Sequence, residues 1–165
     1  MATYKLVMLV RVYLVDPASL RKRCPNPMLV WEPPAHEEGP IATTDVSGMA
    51  SELAKGDPVA IELVKGAASN AFPFGVTVGY SEGNDVVLRD PQVSGFHAYF
   101  QESNHQRFLV DASSRNGTWI DDQKLLPSKA YPLPAKVTLR FGKLAVTYVE
   151  PDQMGAFLDM RLKSG

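Results

Sequence analysis

The sequence predicts a mainly β fold, an antiparallel β-sandwich or barrel. Short runs of β-branched and aromatic residues follow one another closely between Ala71 and Asp122, and clusters of Gly, Asn, Asp and Ser separate them. Strands of this length with turn signals at close intervals are typical of sandwiches and barrels. The strand-forming runs of this stretch are FPFGVTVGY, VVLR, FHAYFQ, RFLVD and TWID.

The first 56 residues predict an extension of mixed structure. The apolar run 4–15 lacks a clean period, so its pattern fits a strand and a core helix equally well, and we expect it to be buried. Asp16-Pro17 predicts the start of a helix to Arg23, because Asp caps helices and Pro suits their first position. The remaining extension predicts a strand at 28–31, a polar loop at 33–40 and a helix from Ser47.

The rest of the chain predicts a β domain followed by a short helix. Gly56-Asp57-Pro58 is a clear break, after which residues 59–65 predict the first strand of the β domain. Residues 137–149 predict a final hairpin with its turn at Gly142-Lys143, and Pro151-Asp152 predicts the start of a terminal helix. We therefore divide the chain into an extension that packs on the sandwich (1–56), the sandwich (57–151) and a helical tail (152–165).

Charge and cysteine content exclude several classes of protein. The 165 residues carry 17 Lys and Arg against 18 Asp and Glu, which argues against general binding to nucleic acid or anionic membranes. The apolar run 4–15 is interrupted by Lys5 and Arg11 and is too short to span a bilayer. Cys24 is the single cysteine, which excludes an intrachain disulfide and a multi-cysteine zinc site. Together these features predict a cytoplasmic protein without metal or cofactor.

Three turns of the β-rich stretch carry side chains suited to an anionic peptide ligand. They contain Gly79, Ser94 with His97, and the segment 114–118. If the loops gather at one end of the sandwich, a serine hydroxyl, an asparagine amide and backbone N–H groups would meet there as donors for phosphate oxygens. Arg115 adds a guanidinium. The Asn-Gly pair at 116–117 is also the strongest short hairpin signal, and alone it would indicate only a tight turn.

In their order these turns resemble the forkhead-associated (FHA) domain, a β-sandwich family that binds phosphothreonine peptides. The resemblance covers roughly residues 57–151 and rests on Gly79, Asn84-Asp85, Ser94 with His97, the run 111–118, and Phe141-Gly142. It implies that Ser94 binds phosphate and that Asn116 holds the peptide backbone. It also implies structural roles for Gly79, His97 and Gly117.

Two departures from the family pattern affect the implied site. Tyr80 stands where the family has an arginine, and Gly95 stands where it has a basic or polar residue. Losing a charge-assisted hydrogen bond costs about 1.5–3 kcal/mol, so the resemblance implies weakened phosphate binding. Arg115 and Arg89 are the candidates to replace the charge. The implied phosphopeptide site therefore consists of Tyr80, Ser94, Gly95, Arg115 and Asn116.

We accordingly predict a non-catalytic protein-interaction module in signalling that recognises a phosphothreonine segment of a protein in a Ser/Thr kinase pathway. The alternative is a divergent FHA fold that binds a protein partner without phosphate or serves as a scaffold. A hydrolase built on Ser94, His97 and Asp111 is disfavoured, because the chain has no G-x-S-x-G motif. Tyr99 and Trp119 are predicted to lie in the core. Tyr80 fits packing and ligand contact equally well.

Overall fold

The structure, a computed structural model, describes residues 2–33, 57–66 and 72–164. Within them the chain forms two packed β-sheets and three helices. The helices are α1 Leu6–Val15, α2 Pro17–Arg23 and α3 Pro151–Ser164. The strands are β1 Ala2–Lys5, β2 Met28–Trp31, β3 Val59–Glu62, β4 Val76–Gly79, β5 Val86–Val87, β6 Ala98–Ser103, β7 Gln106–Asp111, β8 Thr118–Ile120, β9 Gln123–Lys124, β10 Ala130–Pro132, β11 Lys136–Phe141 and β12 Leu144–Val149.

The two sheets confirm the predicted sandwich. One sheet has the order β1-β3-β2-β12-β11-β8-β9, and the other has the order β10-β7-β6-β4-β5. Neighbouring strands are antiparallel except for β4 and β5, which pair in parallel. The final hairpin of β11 and β12 is also confirmed, with Gly142 at a φ of +63° in its turn. A left-handed φ of this kind favours glycine, which has no Cβ to clash with the backbone.

The main core lies between the sheets. In β11 the buried residues alternate with exposed ones, which is the pattern of a strand with one face on a core. Leu139 and Phe141 of that strand pack with Leu109 of the opposite sheet. Phe100 of β6 stacks on Tyr148 of β12 with ring centroids 5.9 Å apart, which joins the two sheets at their centre.

The N-terminal apolar run forms two elements instead of one. Residues up to Lys5 form β1, and α1 begins at Leu6, whose N–H donates to the carbonyl of Pro58 at 3.0 Å. Leu6 and Leu9 are buried, whereas Met8 and Val15 are exposed, so the expectation of a wholly buried element is wrong. The helix has one face on the protein and one face to solvent.

The strands β1 and β2 belong to the same sheet as β3. β1 and β2 pair on either side of β3, and β2 also pairs with β12. The prediction that residues 59–65 form the first strand of the sandwich is therefore wrong, because two earlier strands precede it in the sheet. The division of the chain at residue 57 stays a prediction.

The three helices cover one side of the seven-stranded sheet with a second core. Asp16 caps α2 as predicted, and its carboxylate accepts from Ala18 N at 3.2 Å. α3 buries Met154, Phe157 and Leu158, as its sequence spacing predicts. Burial raises the pKa of the Cys24 thiol in this core to about 11. The predicted loop at 33–40, apart from Pro33, and the predicted helix from Ser47 lie outside the described residues.

None of the helices in the described residues combines the length and apolar character that crossing a bilayer requires.

Candidate functional site

Three loops meet at one end of the sandwich, and Ser94 joins them. The backbone N–H of Tyr80, after β4, donates to the Ser94 carbonyl at 2.9 Å. The backbone N–H of Arg115, in the loop between β7 and β8, donates to the Ser94 hydroxyl oxygen at 2.9 Å. The loops after β4, before β6 and after β7 are thus fastened to one another through a single residue.

The hydrogen bonds of Ser94 fix the direction of its remaining donor. Its backbone N–H donates to Nδ1 of His97 at 3.0 Å, and its carbonyl and hydroxyl oxygens accept from the neighbouring loops. A serine hydroxyl has one hydrogen to donate and two lone pairs. Since the oxygen already accepts from Arg115, the hydroxyl hydrogen is the donor that Ser94 can offer to a ligand.

His97 is a structural residue in its neutral form. The ring is fully buried, Nδ1 accepts from Ser94 N, and Nε2 therefore carries the hydrogen that it donates to the Gly117 carbonyl at 2.9 Å. Burial lowers the pKa of His97 below its ordinary value, against opposing effects of the Gly117 carbonyl and Asp111. The imidazole thus ties the loop before β6 to the loop before β8.

The arrangement does not contain a hydrolytic triad. Both ring nitrogens of His97 are bound to backbone groups, so neither of them contacts the Ser94 hydroxyl. The Asp111 carboxylate accepts from the hydroxyls of Ser114 at 2.5 Å and Thr118 at 2.6 Å. Asp111 therefore fastens the ends of its own loop, and neither His97 nor Asp111 is placed to act as a general base for Ser94.

The motif residues of the β4–β5 loop hold its backbone in place. Gly79 lies against the next loop so closely that a Cβ on it would come within 2.2 Å of the Gly95 carbonyl oxygen. The Asn84 amide donates to the carbonyls of Ser81 at 2.9 Å and Gly95 at 2.5 Å. The buried Asp85 carboxylate accepts from the backbone N–H of β4.

Asn116 lies in a crossover loop. Its Nδ2 donates to the Gln92 carbonyl at 2.9 Å, and its side chain is half-buried. Gly117 has a φ of +88°, which disfavours any residue with a Cβ. The hairpin that Asn-Gly indicates is absent, because β7 and β8 lie in different sheets and this loop carries the chain from one sheet to the other.

These loops enclose a cavity of about 260 Å³ in which all five predicted binding residues come together. Arg115 is the one charged residue among the described residues that line it. Its side chain is exposed and makes no ion pair with any residue that the structure describes. The lining consists of Tyr80, Pro91, Gln92, Val93, Ser94, Gly95, Arg115 and Asn116.

Gln92 is a residue of the site that the sequence did not reveal. Its carbonyl oxygen accepts from Asn116, and a Cβ on Gly142 would approach that same oxygen to 2.7 Å. Gln92 accepts this hydrogen bond through its backbone carbonyl, which every residue type has, so the side chain at this position gives no indication of the contact. Proximity to Ser94 in the sequence was the one available signal.

Tyr99 and Trp119 are half-buried on outer faces of the sheets, which corrects their expected place in the core. The Trp119 ring lies between the Arg140 guanidinium, 4.2 Å from its centroid, and the Lys124 ammonium, 5.5 Å from it. These three residues are cross-strand neighbours on β11, β8 and β9. Trp119 was mistaken for a core residue because a strand of three residues shows too few positions to reveal which face is buried.

Comparison with known proteins identifies the domain that carries this cavity. Residues 76–142 match the family model of the FHA domain. These residues belong to the FHA domain family. No group of three or more His, Cys, Asp or Glu side chains in the described part of the chain is placed to hold a metal ion.

Individual relatives match only part of this chain. The DNA damage response protein kinase DUN1 of Saccharomyces cerevisiae is 39% identical over 74 residues, which are 41% of this chain and 14% of the kinase. The chloroplastic zeaxanthin epoxidase of Spinacia oleracea is 38% identical over 61 residues, 37% of this chain and 9% of that enzyme. The solved MEK1 FHA domain, in complex with a HOP1 phosphopeptide, has 21% identity and a TM-score of 0.44. That match covers 55% of this chain and 87% of the solved chain.

Within the FHA domain, Arg89 contacts Tyr80. Its guanidinium stacks on the Tyr80 ring and forms an ion pair with Glu82 at 2.8 Å. Arg89 does not line the cavity, whereas Tyr80 does. Of the two arginines considered from the sequence, Arg115 is thus the one at the cavity.

Proposed function

We propose that this chain is a non-catalytic module that binds a phosphothreonine-containing segment of a partner protein. The observation that carries the proposal is the lining of one cavity in an FHA domain by a serine hydroxyl, an asparagine amide and an arginine without an ion pair among the described residues. We assign the phosphate to Ser94 and Arg115, and the peptide backbone to Asn116.

The chemistry of the cavity suits a phosphate. A phosphothreonine carries a charge of about −1.5 to −2 at neutral pH and three acceptor oxygens. Ser94 offers its hydroxyl hydrogen, and Arg115 offers guanidinium N–H groups. Among the residues that the structure describes, no carboxylate lines the cavity to repel the anion. Charge-assisted hydrogen bonds of this kind are about twice as strong as neutral ones.

The amide of Asn116 suits the backbone of a peptide. One Nδ2 hydrogen is used on the Gln92 carbonyl, and the other, with Oδ1, has no partner among the residues that the structure describes. A primary amide can then donate to a peptide carbonyl and accept from a peptide N–H at the same place. Backbone recognition would leave the phosphate contacts to select the phosphorylated residue.

Phosphothreonine arises from Ser/Thr kinases, so the proposed partners are proteins of a kinase pathway. We place the module in the cytoplasm, where a thiol such as that of Cys24 stays reduced. The second candidate function is binding of a protein partner without phosphate. It is favoured by Tyr80, which puts an aromatic ring in the cavity where a further cation would strengthen phosphate binding.

A peptide-binding measurement separates the two candidates. Capture of a degenerate phosphothreonine peptide library would be compared with capture of its unphosphorylated copy, using the full chain. We expect selective capture of the phosphorylated pool, and we expect Ser94→Ala and Arg115→Gln each to weaken it by about tenfold. Arg21→Gln is the matched control, because Arg21 lies on α2 and pairs with Asp152.

Two results would contradict the proposal. Equal capture of both pools by the wild-type chain would favour the partner that needs no phosphate. Selective capture that survives in both folded variants, with melting temperatures matching the wild type, would show that the phosphate binds elsewhere.

A further inference from the structure

A group of four aromatic side chains, here called the aromatic surface, lies beside the phosphate cavity. Its members are Phe72, Phe74, Phe96 and Tyr99. Phe72 is central, with its ring centroid 5.3 Å from Phe74, 5.4 Å from Phe96 and 4.9 Å from Tyr99. The rings meet at steep angles, in the edge-to-face arrangement that aromatic pairs prefer.

The aromatic surface is open to solvent. Phe74 is 60% exposed and Phe96 is 40% exposed, and the other two rings are half-buried. Single exposed apolar residues are ordinary on a protein, but a contiguous exposed group marks a binding surface. Rigid aromatic side chains are well suited to this role, because fixing them costs little conformational entropy.

An uncharged groove connects the aromatic surface to the phosphate cavity. The groove has a volume of about 500 Å³, and Phe72 and Phe96 lie on one side of it. Gly95 lines both the groove and the phosphate cavity, so the two are continuous. Among the described residues, no charged side chain lines the groove, whose remaining members are Thr77, Ser81, Gly83 and Asn84. The rings of Phe72 and Phe96 therefore favour an apolar occupant.

Because Gly95 has no side chain, the passage between the groove and the phosphate cavity is open. Gly95 is exposed, and a Cβ on it would meet only the end of the Ser81 side chain, at 2.8 Å. Its backbone does not require glycine, since its φ lies outside the left-handed range. A larger residue would thus be tolerated by the fold but would narrow the route from Ser94 to Phe96.

We propose that the aromatic surface binds an apolar side chain of the same phosphopeptide, a few residues from the phosphothreonine. This inference rests on the proposed function and deepens it. An extended peptide advances about 3.3 Å per residue, so a segment anchored at Ser94 passes Gly95 and reaches Phe96 within a few residues. The phosphate then supplies selectivity for the modified residue, and the aromatic contact supplies selectivity for its neighbour.

The test scans each position flanking the phosphothreonine with Ala, Leu and Phe in peptides of otherwise constant sequence. Dissociation constants are measured for the full chain by fluorescence anisotropy. We expect Leu or Phe to bind about tenfold more tightly than Ala at one flanking position. We expect Phe96→Ala to abolish this preference and Phe96→Leu to retain part of it.

Two further variants make the result specific. Leu162→Ala is the matched control, because Leu162 is 42% exposed on α3, outside both the groove and the phosphate cavity. We expect it to keep the full preference. Gly95→Gln should reduce the preference for an apolar neighbour, because its side chain would narrow the route from Ser94 to Phe96. Melting temperatures confirm that each variant is folded.

The outcomes distinguish this inference from the function on which it rests. Binding of phosphorylated peptides without a flanking preference, or a preference that survives Phe96→Ala, overturns the inference alone. If the wild-type chain proves to be a dimer by size-exclusion chromatography, and Phe96→Ala is a monomer with an unchanged peptide preference, a second copy of the chain occupies this surface and the inference is overturned. Failure of every phosphopeptide to bind overturns both the inference and the proposed function.

Discussion

The guanidinium of Arg89 lies 4.9 Å from the centroid of the Tyr80 ring, and that ring lines the candidate phosphate cavity. Glu82 pairs with the same guanidinium, which is 18% exposed. A cation stacked on an aromatic ring in this way gains about 0.5–2 kcal/mol. The contact steadies the ring and keeps the arginine out of the cavity lining, so Tyr80 presents a neutral surface to a ligand.

Replacing Tyr80 by arginine should strengthen phosphopeptide binding. A new charge-assisted hydrogen bond to phosphate is worth about 1.5–3 kcal/mol, which corresponds to a gain in affinity of about tenfold or more. The dissociation constant of a phosphothreonine peptide would be measured by anisotropy for Tyr80→Arg, with Tyr80→Gln as the uncharged control. If both folded variants bind like the wild type, position 80 does not face the phosphate.

The sequence predicted the residues of the candidate site that act through their side chains, and it missed the residue that acts through its backbone. Ser94, Arg115 and Asn116 were predictable because turn residues with polar side chains stand out between strands, and their loops do meet. Gly95 followed from the family resemblance alone. Gln92 was not predictable, since it acts through its carbonyl oxygen. The stacking on Tyr80 was hidden as well, because Arg89 is nine positions away and reaches the ring only in the folded loop.

The fold shows the same division between local and long-range information. The cap at Asp16 and the turn at Gly142 depend on neighbouring residues, and both were predicted. The pairing of β1 and β2 with β3 joins segments far apart in the chain, and no local pattern indicates it. The Asn116-Gly117 pair is a strong hairpin signal but lies in a crossover between sheets, because the same turn residues suit both connections.

Replacing Asn116 by alanine should weaken peptide binding and leave the fold intact. The amide is the proposed contact to the peptide backbone, so we expect about a tenfold loss of affinity. The hydrogen bond to the Gln92 carbonyl is also lost, which should lower the free energy of unfolding by about 1 kcal/mol. Anisotropy and urea unfolding measure the two effects separately. Unchanged affinity in the folded variant would refute the assignment.

Replacing Gly79 by alanine should destabilise the loops of the site. The new Cβ would lie 2.2 Å from the Gly95 carbonyl oxygen, and backbone cannot yield as a flexible side chain can. We expect the free energy of unfolding to fall by about 2 kcal/mol or more, as for other overpacked positions.

Gly155→Ala provides the matched control for that substitution. Gly155 lies inside α3, where a Cβ would lie 3.3 Å from the half-buried Tyr13 ring, a tight contact that a shift of the ring by a few tenths of an ångström relieves. Alanine also favours the helix by about 1 kcal/mol relative to glycine. This variant should therefore unfold at the same urea concentration as the wild type or at a higher one. Equal stability of the two variants would mean that the loops around Gly79 can move apart.

The stability of the protein should decrease as the pH falls below about 6.5, because of His97. Burial lowers the pKa of His97 in the folded chain below its ordinary value of 6.5. Between the two pKa values the unfolded chain holds a proton that the folded chain does not, so acidification favours unfolding. Protonation would also remove the acceptor for the backbone N–H of Ser94.

Urea unfolding at pH 7.5, 6.5 and 5.5 measures this effect. Stability is a better readout here than peptide affinity, because the phosphate of a phosphopeptide itself titrates near pH 6 and would change the affinity. We expect the free energy of unfolding to fall between pH 6.5 and 5.5 in the wild type and to fall less in His97→Gln. His105→Gln, at an exposed turn, should behave like the wild type. A wild-type stability that stays constant over this range, or an equal loss in His97→Gln, would show that His97 does not bind the proton on unfolding.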